Sequence, residues 1–274
     1  MISAGLRAFA ERALGDFEVA ADCSWEHRAS AVLRLHAADG TSWYLKRHSE
    51  PERYAAERHA YRAWVPALKD RAPQLLAASD ELNALLLSEV PGRSAIPDGI
   101  GRTPAVQHQA GQLLRTFHGS AEFPLWTDFA VEKSDEVERY LAGGLIPRHA
   151  ADFVRSELRE FDGVTPERVP CHLDYNLRNW IVHDGRLSVV DFEWARPDAW
   201  LSDFTRLELQ SWRDDPALRE AFLDGYGRRP DEPLLRLCCT VNTIFLIVRA
   251  HEYGMTKFEA GNRVVLADLI GEGA

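Results

Sequence analysis

The sequence predicts an α+β fold in two lobes, a small antiparallel-sheet N-lobe over residues 1–90 and a larger, mainly helical C-lobe over 91–274. Three observations point there. Short runs rich in β-branched and aromatic residues fill the first ninety or so positions and are separated by turn residues. Pro91-Gly92 then breaks the pattern. From Pro104 onward helical periodicity dominates, with one interruption at 168–192.

Taken in order, the first element is an N-terminal helix in which Leu6, Phe9 and Leu14 alternate with Arg7, Glu11 and Arg12 at helical spacing. Strands are expected at 17–21, 31–36 and 41–47, the last two joined through Asp39-Gly40, a hairpin-turn pair. Pro51, preceded by Ser49 and Glu50, suits the first turn of a helix that runs to about Val65, where Pro66 ends it. Apolar runs at 74–78 and 84–90 flank Ser79-Asp80-Glu81 and complete a five-stranded sheet. In the C-lobe, helices are expected at 104–119, 134–142, 147–161, 199–212, 216–226 and 232–253, with one more near the end. Within 168–192, β-like runs at 180–183 and 187–190 meet at Asp184-Gly185 and form a small hairpin.

Composition narrows the function classes. With 46% hydrophobic and 27% charged residues the chain can bury a sizeable core, which excludes wholesale disorder. Forty-two acidic against 32 basic side chains leave a net charge of −10. That is the wrong sign for a nucleic acid or an anionic membrane surface, and it tilts the expected ligand toward a cation. The apolar stretch 240–248 is too short to span a bilayer and runs into Arg249, so no transmembrane helix is expected. The N-terminus lacks the apolar region of a signal peptide, so a cytoplasmic location is expected. The four cysteines form no metal or disulfide spacing; Cys238 and Cys239 sit in an apolar helix pattern, as small buried hydrophobes do.

The densest polar constellation is Cys171-His172-Leu173-Asp174-Tyr175-Asn176-Leu177-Arg178-Asn179, followed by Val189-Val190-Asp191-Phe192-Glu193. A carboxylate, a carboxamide five residues on, and a second carboxylate at the end of an apolar strand supply hard oxygen donors and no soft ones, which suits Mg²⁺. The competing reading of Asp174 or Asn179 alone is a turn residue bonded to its own backbone. In Trp43-Tyr44-Leu45-Lys46, a period of two puts Tyr44 and Lys46 on one strand face. Lys46 is therefore a candidate cleft cation, with Arg47 as its competitor. On the following helix Glu57 falls on the apolar stripe of Tyr54, Tyr61, Trp64 and Val65, whereas Glu52 falls off it. A carboxylate on a buried face needs a partner, and Lys46 is the expected one.

The whole string resembles the His-x-Asp-x-x-x-x-Asn loop and metal-binding Asp of the aminoglycoside phosphotransferase and choline kinase-like family, which has a two-lobed protein-kinase-like fold. The resemblance covers about residue 17 to about 210. It implies that Asp174 takes or orients the proton of a substrate hydroxyl, that His172 braces the loop, and that Asn179 and Asp191 hold Mg²⁺ ions bridging the nucleotide phosphates. It implies a phosphate-binding role for Lys46, oriented by Glu57, and adenine contacts near Ser88, Glu89 and Val90 in Leu85-Leu86-Leu87-Ser88-Glu89-Val90-Pro91-Gly92. Leu114-x-x-x-His118 and Asp203 resemble structural positions of the same family. One departure is that 23–30 contains no glycine, so phosphate contacts are expected from Ser24, Arg28 and their neighbours instead.

By this resemblance the chain is an ATP-dependent O-phosphotransferase, with GTP as the alternative nucleotide, acting on a small hydroxylated molecule. An aminoglycoside or other antibiotic leads, and choline, a sugar or an amino alcohol follows. A nucleotide-binding regulator without turnover is the reading from another class. The acceptor site is expected on the helices after Asp191, where Glu193, Trp194, Asp198, Glu208, Trp212 and Glu252 could pair with and stack on a cationic substrate.

Overall fold

The computed structural model describes residues 2–24, 30–161 and 163–271. Helix α1 (Ala4–Leu14) precedes five antiparallel strands, β1 (Phe17–Asp22), β2 (Ser30–Ala37), β3 (Ser42–His48), β4 (Leu75–Ser79) and β5 (Ala84–Ser88), arranged in the order β1-β2-β3-β5-β4. Between β3 and β4 lies α2 (Pro51–Ala63), followed by a 3₁₀ segment Val65–Arg71. Helix α2 thus ends just ahead of Pro66, which sits in the first turn of the 3₁₀ segment, where a residue without N–H is tolerated.

Strand alternation divides the sheet's two faces. Leu35, Leu45 and Leu86 pack on Leu6, Phe9 and Ala10 of α1 in a small core of their own. Leu85 and Leu87, one residue out of phase, join the main core with Tyr54, Tyr61 and Trp64 of α2. Lys46 shares that second face. A sheet covered on both sides leaves its cleft-facing edge as the place where a polar side chain can be held rigidly.

After β5 the chain pairs with the hairpin expected within 168–192: β6 (Arg93–Ser94) lies against β8 (Trp180–His183), which turns through Asp184-Gly185 into β9 (Arg186–Val189). Both turn residues have positive φ, 46° and 74°, as the two-residue hairpin requires. A short ladder of β7 (Arg168–Cys171) with β10 (Arg196–Ala199) was not legible, since β7 contains Pro170 and β10 is Arg-Pro-Asp-Ala. The remaining helices are α3 (Pro104–His118), α4 (Phe129–Ala142), α5 (Arg148–Glu160), α6 (Thr205–Leu209), α7 (Pro216–Tyr226), α8 (Glu232–Glu252) and α9 (Thr256–Leu269). The helix expected at 199–212 is instead a 3₁₀ turn, Trp200–Asp203, and the short α6, because Asp203 is drawn off to bond the backbone of His172 and Leu173. Helix α8 is long and apolar enough by composition to cross a membrane, yet 67% of its apolar window is buried, with Leu237, Ile244 and Ile247 in the main core.

Helices α3 and α7 touch backbone to backbone. A Cβ placed at Gly225 would overlap the His108 carbonyl oxygen, and one at Gly111 that of Phe222. Gly225→Ala is expected to cost about 1–3 kcal/mol through overpacking. Thermal unfolding would register a loss of roughly 2–4 °C per kcal/mol for a chain of this size. An unshifted midpoint would show that the helices can part without penalty.

Candidate active site

Lys46 is 5% exposed and sits where the lobes meet. Its Nζ lies 3.0 Å from Glu57 Oε2, 2.5 Å from Asp191 Oδ1 and 3.1 Å from Glu193 Oε2. Glu57, fully buried on α2, also accepts from His48 Nε2 at 2.7 Å. Burial alone would pull the Lys46 ammonium down, but the carboxylates of Asp191, Glu57 and Glu193 together hold it well above its ordinary value. Asp191 shows the reverse balance: burial pushes its carboxyl up, and Lys46 outweighs that and holds it low. Glu193 remains raised by burial in spite of the same lysine. Arg47, the competing cation, is exposed.

The loop that carries His172 and Asp174 is held by a buried carboxylate. Asp203 accepts from the backbone N–H groups of His172 and Leu173, at 2.8 and 2.5 Å, and from His118 Nε2 at 2.9 Å. His172 Nε2 donates to the Val190 carbonyl, while its Nδ1 accepts from the Asp174 N–H. The imidazole ties the loop to the backbone just ahead of Asp191. Leu173 and Asp191 both have left-handed φ, 62° and 69°. Such conformations cost of order 1–3 kcal/mol each and persist only where the surroundings enforce them. Phe192 is fully buried against Tyr61, Phe117 and His172, which fixes the far side of Asp191.

Asp174 is 8% exposed, and its two oxygens accept four side-chain donors. Asn176 Nδ2 (2.9 Å) and Arg206 Nη2 (3.1 Å) bond Oδ1; Asn179 Nδ2 and Arg178 Nη2, both at 2.8 Å, bond Oδ2. Arg206 is nearly buried, and desolvation draws its guanidinium below the ordinary value against the pull of Asp174.

A cleft of about 420 Å³ separates the sheet from the loop, and Lys46, Ser88, Glu89, Val90, Asn179 and Asp191 all line it. Asn179 uses its amide nitrogen on Asp174, and neither Asn179 Oδ1 nor Asp191 Oδ2 accepts a hydrogen bond from any described residue. Two hard oxygens of one carboxamide and one carboxylate, on the wall of a cleft ended by a buried ammonium, fit a magnesium ion carrying phosphate oxygens.

Other expected residues lie elsewhere. Arg28 falls outside the described residues. Ser24 uses its hydroxyl to accept from the Val32 N–H, so it anchors the turn. Glu193 faces the N-lobe rather than an acceptor: besides Lys46 it accepts from Arg53, 3.1 Å away. Arg53 stacks on Trp194, 4.0 Å from its ring centroid, and donates to Tyr253. Asp198 is buried and occupied by Ser202 and the Ala199 N–H. Trp212 is core, its indole donating to Gln107, and Glu208 pairs with Arg219 on a separate cavity. Glu252 pairs with Arg249 at the end of α8. These six therefore do not assemble as one acidic acceptor wall, because helical periodicity gives only a residue's face and not which neighbour that face meets. His48, Arg53, Arg178 and Arg206 were missed. His48 carried a signal, lying two residues beyond Lys46 on one strand face.

A two-lobed kinase-like fold with an ammonium–carboxylate junction and a His-x-Asp-x-x-x-x-Asn loop at the cleft defines a phosphotransferase. The model of the phosphotransferase enzyme family matches residues 24–238, and the chain belongs to that family. Among solved structures, the aminoglycoside phosphotransferase APH(4)-Ia superposes with a TM-score of 0.77 at 16% identity, covering 99% of this chain and all of that one. A thermostable mutant of APH(4)-Ia in ternary complex with ADP and hygromycin B gives 0.75 at 17% identity, covering 97% and 98%. The macrolide 2'-phosphotransferase MphH from Brachybacterium faecium gives 0.69 at 18%, covering 96% of each chain. No curated protein matches the chain by sequence.

Proposed function

We propose that the chain transfers the γ-phosphate of ATP to a hydroxyl of a small molecule. The observation that carries this is the junction of Lys46 with Glu57 from its own lobe and Asp191 from the other, on the same cleft as Asn179 and next to Asp174. Phosphoryl transfer asks little covalent chemistry of a protein; positioning and charge neutralisation do most of the work.

In this reading Leu87, Ser88, Glu89 and Val90 receive the adenine, and Lys46 turns its ammonium from Asp191 to the phosphates. Asn179 and Asp191 would hold Mg²⁺, which supplies the positive charge that phosphate oxygens need while the β–γ bond breaks. Asp174 accepts the hydroxyl proton as the acceptor oxygen bonds to the γ-phosphorus, and ADP leaves with the electrons of the broken P–O bond. Arg178, which lines both the nucleotide cleft and the cavity on the other side of the loop, stands where the transferred group passes. Its guanidinium spreads charge over planar donors suited to phosphate oxygens.

Related structures hold ADP or AMP-PNP with hygromycin B, which supports ATP as the donor and an antibiotic as one acceptor class. Of the expected acceptor residues, Trp194 and Asp198 share a cavity with Leu173 and Glu136, and Asp198 is already bonded to Ser202 and the Ala199 N–H, so the acidic surface open to a polycationic aminoglycoside is smaller than the sequence suggests.

Asp191→Asn is the direct test. It should weaken Mg·AMP-PNP binding by roughly tenfold or more, about 1.4 kcal/mol or above, in a calorimetric titration. Wild-type affinity in that variant would remove Asp191 from the nucleotide site and leave the cleft without a metal ligand of its own charge.

A further inference from the structure

On the acceptor side of the loop lies a cavity of about 320 Å³ whose wall is cationic. Its charged lining residues are Arg102, Arg178 and Arg206; Asn176, Gln210 and Ser211 add neutral polar groups, and no lining residue is acidic. Arg178 and Arg206 both bond Asp174, whereas Arg102 adds a third guanidinium to the lining, in a chain whose total charge is −10. Arg206 is 6% exposed, and its Nε and Nη1 have no hydrogen-bond partner among the described residues. Those two nitrogens are closed to solvent, so the positive charge of Arg206 is not cancelled by a second acceptor and adds to the wall of the cavity that the residue lines. Arg102, at the exposed rim, forms no ion pair with any described residue. Phe258 and Ile96 close the cavity with apolar surface, which suits the carbon frame of a small molecule.

We propose that the phosphoryl acceptor carries an oxyanion, a carboxylate or a phosphate ester, seated by Arg206 and Arg102 while its hydroxyl meets Asp174. This inference rests on the phosphotransferase reading above and adds the charge of the substrate to it. The nucleotide's own phosphates do not account for the cluster, because Arg102 and Arg206 line the acceptor cavity and not the nucleotide cleft. A guanidinium pair matches a planar carboxylate or a phosphate in a way that no ammonium-bearing acceptor can use. Like-charge opposition would also turn polyamines away.

The experiment uses the full chain saturated with Mg·AMP-PNP, so that the nucleotide cleft is filled. Inorganic phosphate, gluconate, glucose 6-phosphate, glucose, choline and hygromycin B are titrated calorimetrically, and the organic compounds are then offered with Mg·ATP in an ADP-release assay. Binding of inorganic phosphate and of gluconate or glucose 6-phosphate, with turnover confined to anionic compounds, is the expected result; which of the two turns over separates carboxylate from phosphate ester. Arg102→Gln should weaken that binding and raise KM by roughly tenfold, leave Mg·AMP-PNP affinity unchanged, and fold normally because the residue is exposed. Arg102→Lys, which keeps the charge, should recover part of the loss. Turnover only with hygromycin B or choline, no binding of any anionic probe, or an Arg102→Gln protein indistinguishable from wild type would each overturn the inference. Failure of AMP-PNP to bind at all is a different result: it removes the phosphotransferase reading beneath it.

Discussion

Asp174→Asn should lower kcat by roughly 10²–10⁴, the range expected when a proton acceptor is removed, while Mg·AMP-PNP affinity stays near wild type. The asparagine keeps the shape of the side chain and an oxygen for two of its four donors, while its amide nitrogen replaces the acceptor of the other two. What it loses is the basic carboxylate oxygen that can take the hydroxyl proton and the charge that balances Arg206, 3.1 Å away. Some stability should go with that charge, since Arg206 is buried and its other nitrogens are unpaired. A thermal midpoint measured beside the kinetics separates the two effects. A variant that folds, binds nucleotide and turns over at nearly the wild-type rate would take Asp174 out of the chemistry.

Glu57→Ala is expected to cost about 3–5 kcal/mol, the loss typical when one partner of a buried ion pair is deleted. Glu57 has no solvent exposure and accepts from both Lys46 and His48, so its removal leaves His48 Nε2 without its acceptor and Lys46 with one carboxylate fewer. At roughly 2–4 °C per kcal/mol the unfolding midpoint should fall by about 10 °C. Lys46 would then rest on Asp191 and Glu193 alone and be held closer to the C-lobe, so nucleotide affinity should also drop. Glu57→Gln, which keeps the shape and one acceptor, should lose less stability than alanine and more affinity than a surface control. An alanine variant with an unchanged midpoint and normal nucleotide binding would show that the pair is ornamental.

These expectations draw on parts of the chain that differ in how much local pattern they carry. The five-stranded sheet was legible because each strand alternates, and Asp39-Gly40 and Asp184-Gly185 announce their turns. The junction of Lys46, Glu57 and Asp191 was legible for a stronger reason. A lysine and a glutamate on buried faces of adjacent elements need each other, and an aspartate at a strand end beside a polar loop has few other uses. The β7–β10 ladder carried no such pattern: Pro170 and Pro197 are poor strand residues, and the pairing exists because Cys171 and Arg196 are brought together by the loop between them. Asp203 broke the helix expected around it by a similar long-range demand, from the backbone of His172 and Leu173.

The acceptor side was the least legible. Acidic and aromatic residues after Asp191 made a cationic substrate look natural, yet Glu193 is spent on Lys46 and Arg53, Glu208 on Arg219, and Trp212 on the core. Meanwhile Arg102, Arg178 and Arg206, from three separate segments, face one cavity. Spacing along a chain reports the face a side chain takes on its own helix or strand, and so the sequence alone carried the two-lobed architecture, the hairpin within 168–192 and the lysine–glutamate pair. Which charges finish opposite one another depends on distances between segments far apart in the chain. Coulombic interaction and desolvation act through that space, so the sign of the acceptor pocket was decided by the packing of the helices.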